Sequence, residues 1–460
     1  MELSKDTLSL FGGPAWLLAK RVEAFEAAMA LGVPEDSNEL WRYSPIANLD
    51  IASYSPIEPD DSLGLTDSDT LHSPAFETFV NTLRTSVGGS SNVIVCSNGR
   101  VVSPYSNLDG ENGYDGEGTS VSIATLSSSP DSFEGMPWSD QEYGSDQYPD
   151  YFAALNPALL NDALLIEVSP GSEVPQPLLV VHVIDQPFSL VFDRVFLHLG
   201  KGAKAAVVEV AYSPPGVDSL LVPVTEVGLD EGASLSYVSI QELGEACTQI
   251  GYQVSRLAKD AHLFSLSAAF GGGYTRVRTD CTLEGDGASS KLLAVYFATG
   301  EQVMDFRTLQ RHRAPRTNSD LLFKGAVAGS SRSVYTGLIH MQKGSSGSEA
   351  FQTNRNLVLS EGAHADSVPN LEIEENDVKC SHASAVGPVD EEQRYYLETR
   401  GIPPEKADRL IVLGFFDDAL DRVPIQGVSQ DLRQVVHEKF ARYSSIAEAS
   451  NHGLLEQPER

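Results

Sequence analysis

Leu199-Gly200-Lys201-Gly202-Ala203 returns along the chain as Leu229-Asp230-Glu231-Gly232-Ala233, as Leu257-Ala258-Lys259-Asp260-Ala261 and, much later, as Leu359-Ser360-Glu361-Gly362-Ala363. Leu283 to Ala288 is the same motif with one residue added. Positions 202, 232, 260 and 287 recur at a near-constant interval, and the longer gap from 287 to 362 reads as three shorter repeats with drifted corners. Each motif has one physical reading. An apolar residue enters the core, two polar residues turn outward, Gly or Asp takes a corner that larger side chains resist, and Ala fits where the chain turns back in. A unit of this length buries its apolar face only by stacking on its neighbours, as in a parallel β-solenoid. Val207-Val208-Glu209-Val210, Leu235-Ser236-Tyr237-Val238 and Leu263-Phe264-Ser265-Leu266 are then successive rungs. A β-sandwich also uses many short strands, but the near-constant interval favours the solenoid.

The chain divides around this core. Residues 1–163 form a helical and mixed region with acidic loops, 164–389 the parallel β-helix, and 390–460 a helical domain. In the first part Trp16, Leu17, Val22, Phe25 and Met29 recur at helical spacing from about Pro14 to Ala30, and Gly32 and Pro34 stop the helix. Val93-Ile94-Val95 reads as a strand ended by Asn98-Gly99, and Tyr151 to Asn156 as a short helix. The stretch Asn107 to Asp150 is a solvated acidic loop. Its Asp109-Gly110-Glu111-Asn112-Gly113 lacks the ligand order of a calcium loop. After the solenoid, Asp390 and Gln393 form a capping box and Gly401 ends that helix. Pro403-Pro404 opens a second helix through Phe415, Phe416 and Leu420, and a third starts near Ser429. These helices are expected to cap the end of the solenoid, with one ring of the Phe415-Phe416 pair left for a partner.

With 64 acidic against 32 basic residues the net charge is −32, which argues against nucleic acid or an anionic membrane as principal partner. Four scattered cysteines make no disulfide framework, so a reducing compartment is expected. The first residues lack a signal peptide's basic start and apolar core, and no segment reaches the roughly 20 apolar residues of a membrane span. The expected location is cytoplasmic.

Catalytic motifs are missing from the expected places. Gly271-Gly272-Gly273 is not followed by the Lys and Ser or Thr of a phosphate-binding loop, and Ser345-Ser346-Gly347-Ser348 reads as a turn. His312, His340, His364 and His382 fall in the second half, each read by itself as an ordinary surface or core residue. Only Cys380-Ser381-His382 stands apart. On a strand, Cys380 and His382 project to one side, but two ligands are half of a closed metal site, and Cys96, Cys247 and Cys281 all lie far back in the chain. Either Cys380 packs as a small hydrophobe and His382 as a strand residue, or the pair is a half-site completed by another chain.

From His312 to Val423 the sequence resembles the SufB/SufD family of iron-sulfur cluster assembly proteins. The pieces are His312, Pro315, Thr317 and Ser319; Lys324-Gly325; Gly337-Leu338-Ile339; Gln352 and Asn354; Pro369-Asn370-Leu371-Glu372-Ile373; Asp377 to His382; Arg400-Gly401-Ile402; Gly414-Phe415-Phe416; and Leu420-Asp421-Arg422. Weaker similarity reaches Phe152 to Asn156 and Trp41-Arg42-Tyr43. Cys380-Ser381-His382 matches the SufD branch, and Asn354-Arg355-Asn356 lacks the cysteine that SufB-type chains carry there. Ala383 and Tyr335 stand where Gly and Phe are usual.

The resemblance implies a right-handed parallel β-helix between helical ends and a non-catalytic scaffold of the SUF complex. It implies pairing with a SufB paralogue and docking of the SufC ATPase; whether the chain forms a homodimer in isolation is left open by the sequence. His382, with Cys380 as second candidate, falls on one side of a shared cluster-assembly site, so a transient iron-sulfur cluster is expected at the SufB interface and no cofactor held stably by this chain alone. The helices after Asp390 are expected to dock the ATPase through Tyr395, Tyr396, Leu397, Gly401, Phe415 and Phe416. The alternative from another class is a β-helix enzyme acting on acidic polysaccharide; a SufB-like scaffold without a heteromeric partner is disfavoured by the missing cysteine.

Overall fold

Two parallel sheets face each other, and the chain alternates between them. The computed structural model describes residues 3, 5–58, 70–89, 93–102, 120–136, 138 and 150–451. Most of the acidic stretch from 107 to 150 therefore lies outside the described residues. The first sheet stacks Leu164–Val168, Ser189–Leu199, Leu220–Leu229, Thr248–Leu257, Tyr274–Leu283, Val303–His312, Arg332–Met341 and His364–Ile373. The second stacks Leu178–Val183, Lys204–Tyr212, Ser234–Glu242, His262–Ala269, Ser289–Ala298, Asn318–Val327, Ser348–Val358 and Val378–Gly387. This is a β-solenoid of about eight turns. Val93–Ser97 joins the second sheet and Val121–Thr125 the first, so strands from before residue 164 close the N-terminal end.

One sequence repeat is one full turn, with one strand in each sheet. All three rungs read from the sequence belong to the second sheet. Gly202, Gly232, Asp260 and Gly287 stand above one another on one edge, each with positive φ. The backbone N–H of each donates to the carbonyl one turn on: Gly202 to Glu231, Gly232 to Lys259, Asp260 to Asp286 and Gly287 to Pro315. Arg316 (φ 55°) and Gly347 (φ 75°) continue this ladder, donating to Ser346 and Asp377. The three shorter repeats expected between 287 and 362 are therefore corrected to two ordinary turns, from 287 to 316 and from 316 to 347, and a half turn. Gly362 lies on the opposite edge, above Gly329. Arg316 hid the ladder because a corner needs the left-handed backbone, and a residue other than glycine can adopt it at a cost.

Inside, Val195, Leu197, Leu199, Leu229, Leu257, Leu283, Val207, Leu235 and Leu263 interdigitate between the sheets. Outside, helices cover both sheets: those on the first come from the N-terminal part of the chain, those on the second mainly from the C-terminal part. Helices α1 (Ala15–Leu31) and α3 (Tyr151–Leu159) bury Leu17, Phe25 and Leu155 against Phe192, Val222 and Tyr252 of the first sheet. Trp41, fully buried, lies under the Arg276 guanidinium at 3.9 Å, and Arg276 pairs with Asp305 at 2.6 Å. That contact pins the Trp41-Arg42-Tyr43 segment to the same face.

The second sheet is covered by α2 (Pro74–Ser86), α5 (Pro404–Leu420) and α6 (Gln426–Asn451). Phe416 stacks on Phe297 at 6.3 Å, and Lys324 donates to the Phe415 carbonyl and pairs with Asp418, both at 2.8 Å. Lys439 of α6 reaches the Phe270 carbonyl and Gln302, and burial pushes its pKa down to about 7. The expectation that the C-terminal helices cap the solenoid is corrected here: they lie along its flank. The outward side chains of the second sheet, Leu293, Val295, Phe297 and Leu322, are apolar and need that cover. Among the described residues the last strand of each sheet, His364–Ile373 and Val378–Gly387, pairs on one side only.

Candidate functional site

The last strand, Val378–Gly387, carries the Cys380-Ser381-His382 triplet to the open end of the solenoid. Its register with Ser348–Val358 places Cys380 over Ala350, His382 over Gln352 and Ser384 over Asn354. Those three lower residues are buried in the solenoid interior. Parallel strands in register carry like-facing side chains, so Cys380, His382 and Ser384 face inward, around the mouth of the solenoid. The alternate residues face out: Lys379 pairs with Glu349 at 2.6 Å.

Sequence reasoning placed Cys380 and His382 on one side of a strand, and the structure does the same. Their surroundings differ. Cys380 is half-buried among Ile339, Met341, Ala350 and Leu371, and burial raises its thiol pKa. A thiol so placed is protonated near neutral pH until a metal or cationic partner draws the proton off. His382 is exposed, and no hydrogen bond to its ring occurs among the described residues. It is the freer of the two to accept a metal.

The interior below the mouth is polar. Tyr335 and Thr308 share a hydrogen bond of 3.1 Å, Tyr296 donates to Asn356 at 2.7 Å, and Asn356 donates to Asn354 at 2.9 Å. Ser384 and Ser367 join the two terminal strands across the mouth at 2.8 Å. Gln352, Tyr335, Ser367 and Ser384 are the mouth residues to which sequence reasoning gave no role. The turn length was the available signal: Gln352 precedes His382 by one repeat.

The other second-half histidines are not brought to His382. His312 is buried between Thr317 and Ser319 at 2.7 and 2.9 Å, and burial pushes its pKa down to about 4, so it is a neutral core residue. His364 pairs with Asp366 at 3.1 Å. His340 lies 3.3 Å from Glu374 and 4.0 Å from Glu372 on the outer face, in a partly exposed group.

A second buried cluster occupies the first turns. The His182 ring lies between Asp193, 3.0 Å from Nδ1, and Glu209, 2.9 Å from Nε2, in ion pairs rather than aligned hydrogen bonds. Burial is the largest single influence and opposes a charged imidazole, but Asp193 and Cys96 together outweigh it and hold the His182 pKa well above its usual value. Burial likewise opposes a charged Glu209, yet His182, with the Tyr237 and Thr225 hydroxyls, keeps that carboxylate below the usual range.

The expected docking residues separate into two groups. Tyr395 and Tyr396, 69% and 58% exposed, stand on α4 (Glu391–Thr399), a helix that buries no residue. Leu397 is half-buried beside them, and Gly401 ends the helix with φ 84°. Phe416 corrects the expectation: it is fully buried against Phe297 and holds α5 to the sheet, so it presents nothing to a partner. Phe415 is half-buried under the Lys324 ammonium at 4.9 Å.

Fold and site together define an open-ended β-solenoid with a polar mouth, bare strand edges and metal-capable side chains at its rim. The SufBD core domain of SUF system FeS cluster assembly matches residues 182–415, and the chain belongs to that family. An iron-sulfur cluster assembly SufBD family protein of Mycobacterium tuberculosis is 35% identical over 223 residues, 47% of this chain and 56% of the relative, so the chain spans about half the length of that relative. The iron-sulfur cluster assembly protein SufD of Bacillus subtilis is 30% identical over 288 residues, 62% of this chain and 66% of its own length. SufD of Escherichia coli is 26% identical over 411 residues, covering 87% and 88%. Within the family the chain stands close to SufD.

Proposed function

We propose that this chain is a SufD-like, non-catalytic scaffold subunit in SUF iron-sulfur cluster assembly, working in the cytoplasm. The observation that carries the reading is the open mouth: His382 and Cys380 face inward on a strand whose outer edge is unpaired among the described residues. Two metal-capable groups on an uncovered edge make a site that needs a second chain. A SufB paralogue adding its own strands there would supply the missing ligands, mainly thiolates, and the nascent cluster is the cargo held between the subunits. In the paralogue's absence a second copy of this chain would meet the same edge. The exposed tyrosines of α4 and the adjoining surface of α5 are the docking face for the SufC ATPase. Its nucleotide-driven dimerisation would strain the scaffold and open the shared interface, with both subunits biased between two states.

Reconstitution with the paralogue and the ATPase tests this. With His382→Ala the three proteins should still co-purify, while cluster formation, followed by visible absorption, falls at least about tenfold. Unchanged cluster formation in an intact complex would remove His382 from the site. A monomer that retains neither partner and cleaves uronic-acid polymers would overturn the whole reading.

A further inference from the structure

We infer that Gln352 is a positioning residue for His382, holding the imidazole in one tautomer with its free nitrogen turned to the mouth; this rests on the reading of His382 as a cluster ligand. Gln352 lies directly below His382 in the ladder and faces the same way. It is 1% exposed, and neither Oε1 nor Nε2 has a hydrogen-bond partner among the described residues. Buried amides are almost always satisfied, so one with both ends unused calls for a partner.

The neighbourhood leaves few candidates. A Cβ on Gly337 would lie 2.5 Å from Gln352 Nε2 and 2.6 Å from the Tyr335 hydroxyl, so glycine there lets the amide lie against the strand Arg332–Met341. Tyr335 shares its hydroxyl with Thr308, and Asn354 and Asn356 bond each other and Tyr296. The side chain stacked above is the exposed imidazole, about 4.8 Å away along the ladder direction.

The chemistry fixes which end meets the ring. Nε2 is the amide atom nearest Gly337, so Oε1 is the end that a small rotation of the two side chains, unbonded as they stand, brings to the ring. A carbonyl oxygen accepts the ring N–H, and the other ring nitrogen then keeps its lone pair for a metal. Metal-bound histidines are commonly oriented in this way by a second residue, whose loss costs about 10–100-fold in affinity or activity.

The test uses the full chain with 15N-labelled histidine, reading the His382 tautomer from the ring nitrogen shifts, and the reconstituted complex for cluster formation. The wild-type ring should be one tautomer. Gln352→Leu, close in volume, should give a mixture and lower cluster formation about tenfold, and Gln352→Glu, which keeps an acceptor, should restore the single tautomer. Gln352→Met provides a second apolar replacement should the leucine variant fold poorly. A purely structural amide would leave the tautomer untouched: an unchanged tautomer in Gln352→Leu and Gln352→Met overturns the inference. The two readings fail separately. Normal cluster formation with His382→Ala sinks the ligand role, whereas the tautomer measurement judges Gln352 without any cluster present.

Discussion

At the scale of single residues, the buried charges of the first turns make stability depend on pH with a definite sign. The fold favours protonated His182, so its contribution is fully present below the unfolded imidazole's 6.5 and is lost as pH rises through the higher folded value. Glu209 works the other way: its contribution is present above the unfolded 4.5 and is lost as pH falls through the lower folded value. The pair stabilises most between those two limits. His182→Gln leaves two buried carboxylates without their cation and should cost about 3–5 kcal/mol near pH 6. Denaturant titrations at pH 6 and pH 9 should show the gap between variant and wild type narrowing at the higher pH; an equal gap would assign the loss to packing. The His182 cluster was not legible in the sequence. Cys96 lies 86 residues before His182, and only the stacking of the first two turns on the strand Val93–Ser97 puts Cys96, His182, Asp193 and Glu209 together.

Elements of this fold are decided by their corners. Six stacked positions, 202, 232, 260, 287, 316 and 347, carry positive φ and pass one hydrogen bond from turn to turn. Glycine fits there without strain, whereas a left-handed arginine costs about 1–2 kcal/mol. Arg316→Gly should therefore raise stability by about 1 kcal/mol, the exposed pairing with Asp286 giving back little. Gly287→Ala should lower it by about 1–2 kcal/mol, because the corner is left-handed (φ 75°) and the new Cβ would lie 2.4 Å from Asp260 Oδ1. Thermal melting of both variants checks the pair, and opposite signs are required. The helices were easier to read than the corners. Asp390 caps the backbone N–H groups of Glu392 and Gln393, Gly401 ends α4, and α5 opens at Pro404, since capping chemistry is local to a few residues. The third C-terminal helix begins at Gln426, just ahead of the sequence signal at Ser429.

For the whole molecule, the open end is the feature that matters. Two terminal strands of ten residues have outer edges unpaired among the described residues, with Ile373 49% and Val386 44% exposed. Such edges add a strand from another chain unless something covers or charges them. Ile373→Lys with Val386→Lys should weaken retention of the paralogue, and of a second copy in its absence, while thermal stability moves little because both sites are exposed. Analytical ultracentrifugation and co-purification give the two readings; full retention with both lysines present would place the interface elsewhere. The sequence by itself determined the solenoid, the length of its turn, the helical ends and the side of the strand from which Cys380 and His382 project. Each of these depends on chemistry within one turn: alternation, capping, and the backbone a corner requires. Only the tertiary structure decided that the C-terminal helices cover the flank and leave the mouth open, that Phe416 is an anchor inside, and that Gln352 lies unsatisfied beneath His382. Those outcomes depend on which distant faces bury each other, and that choice is made when the turns stack.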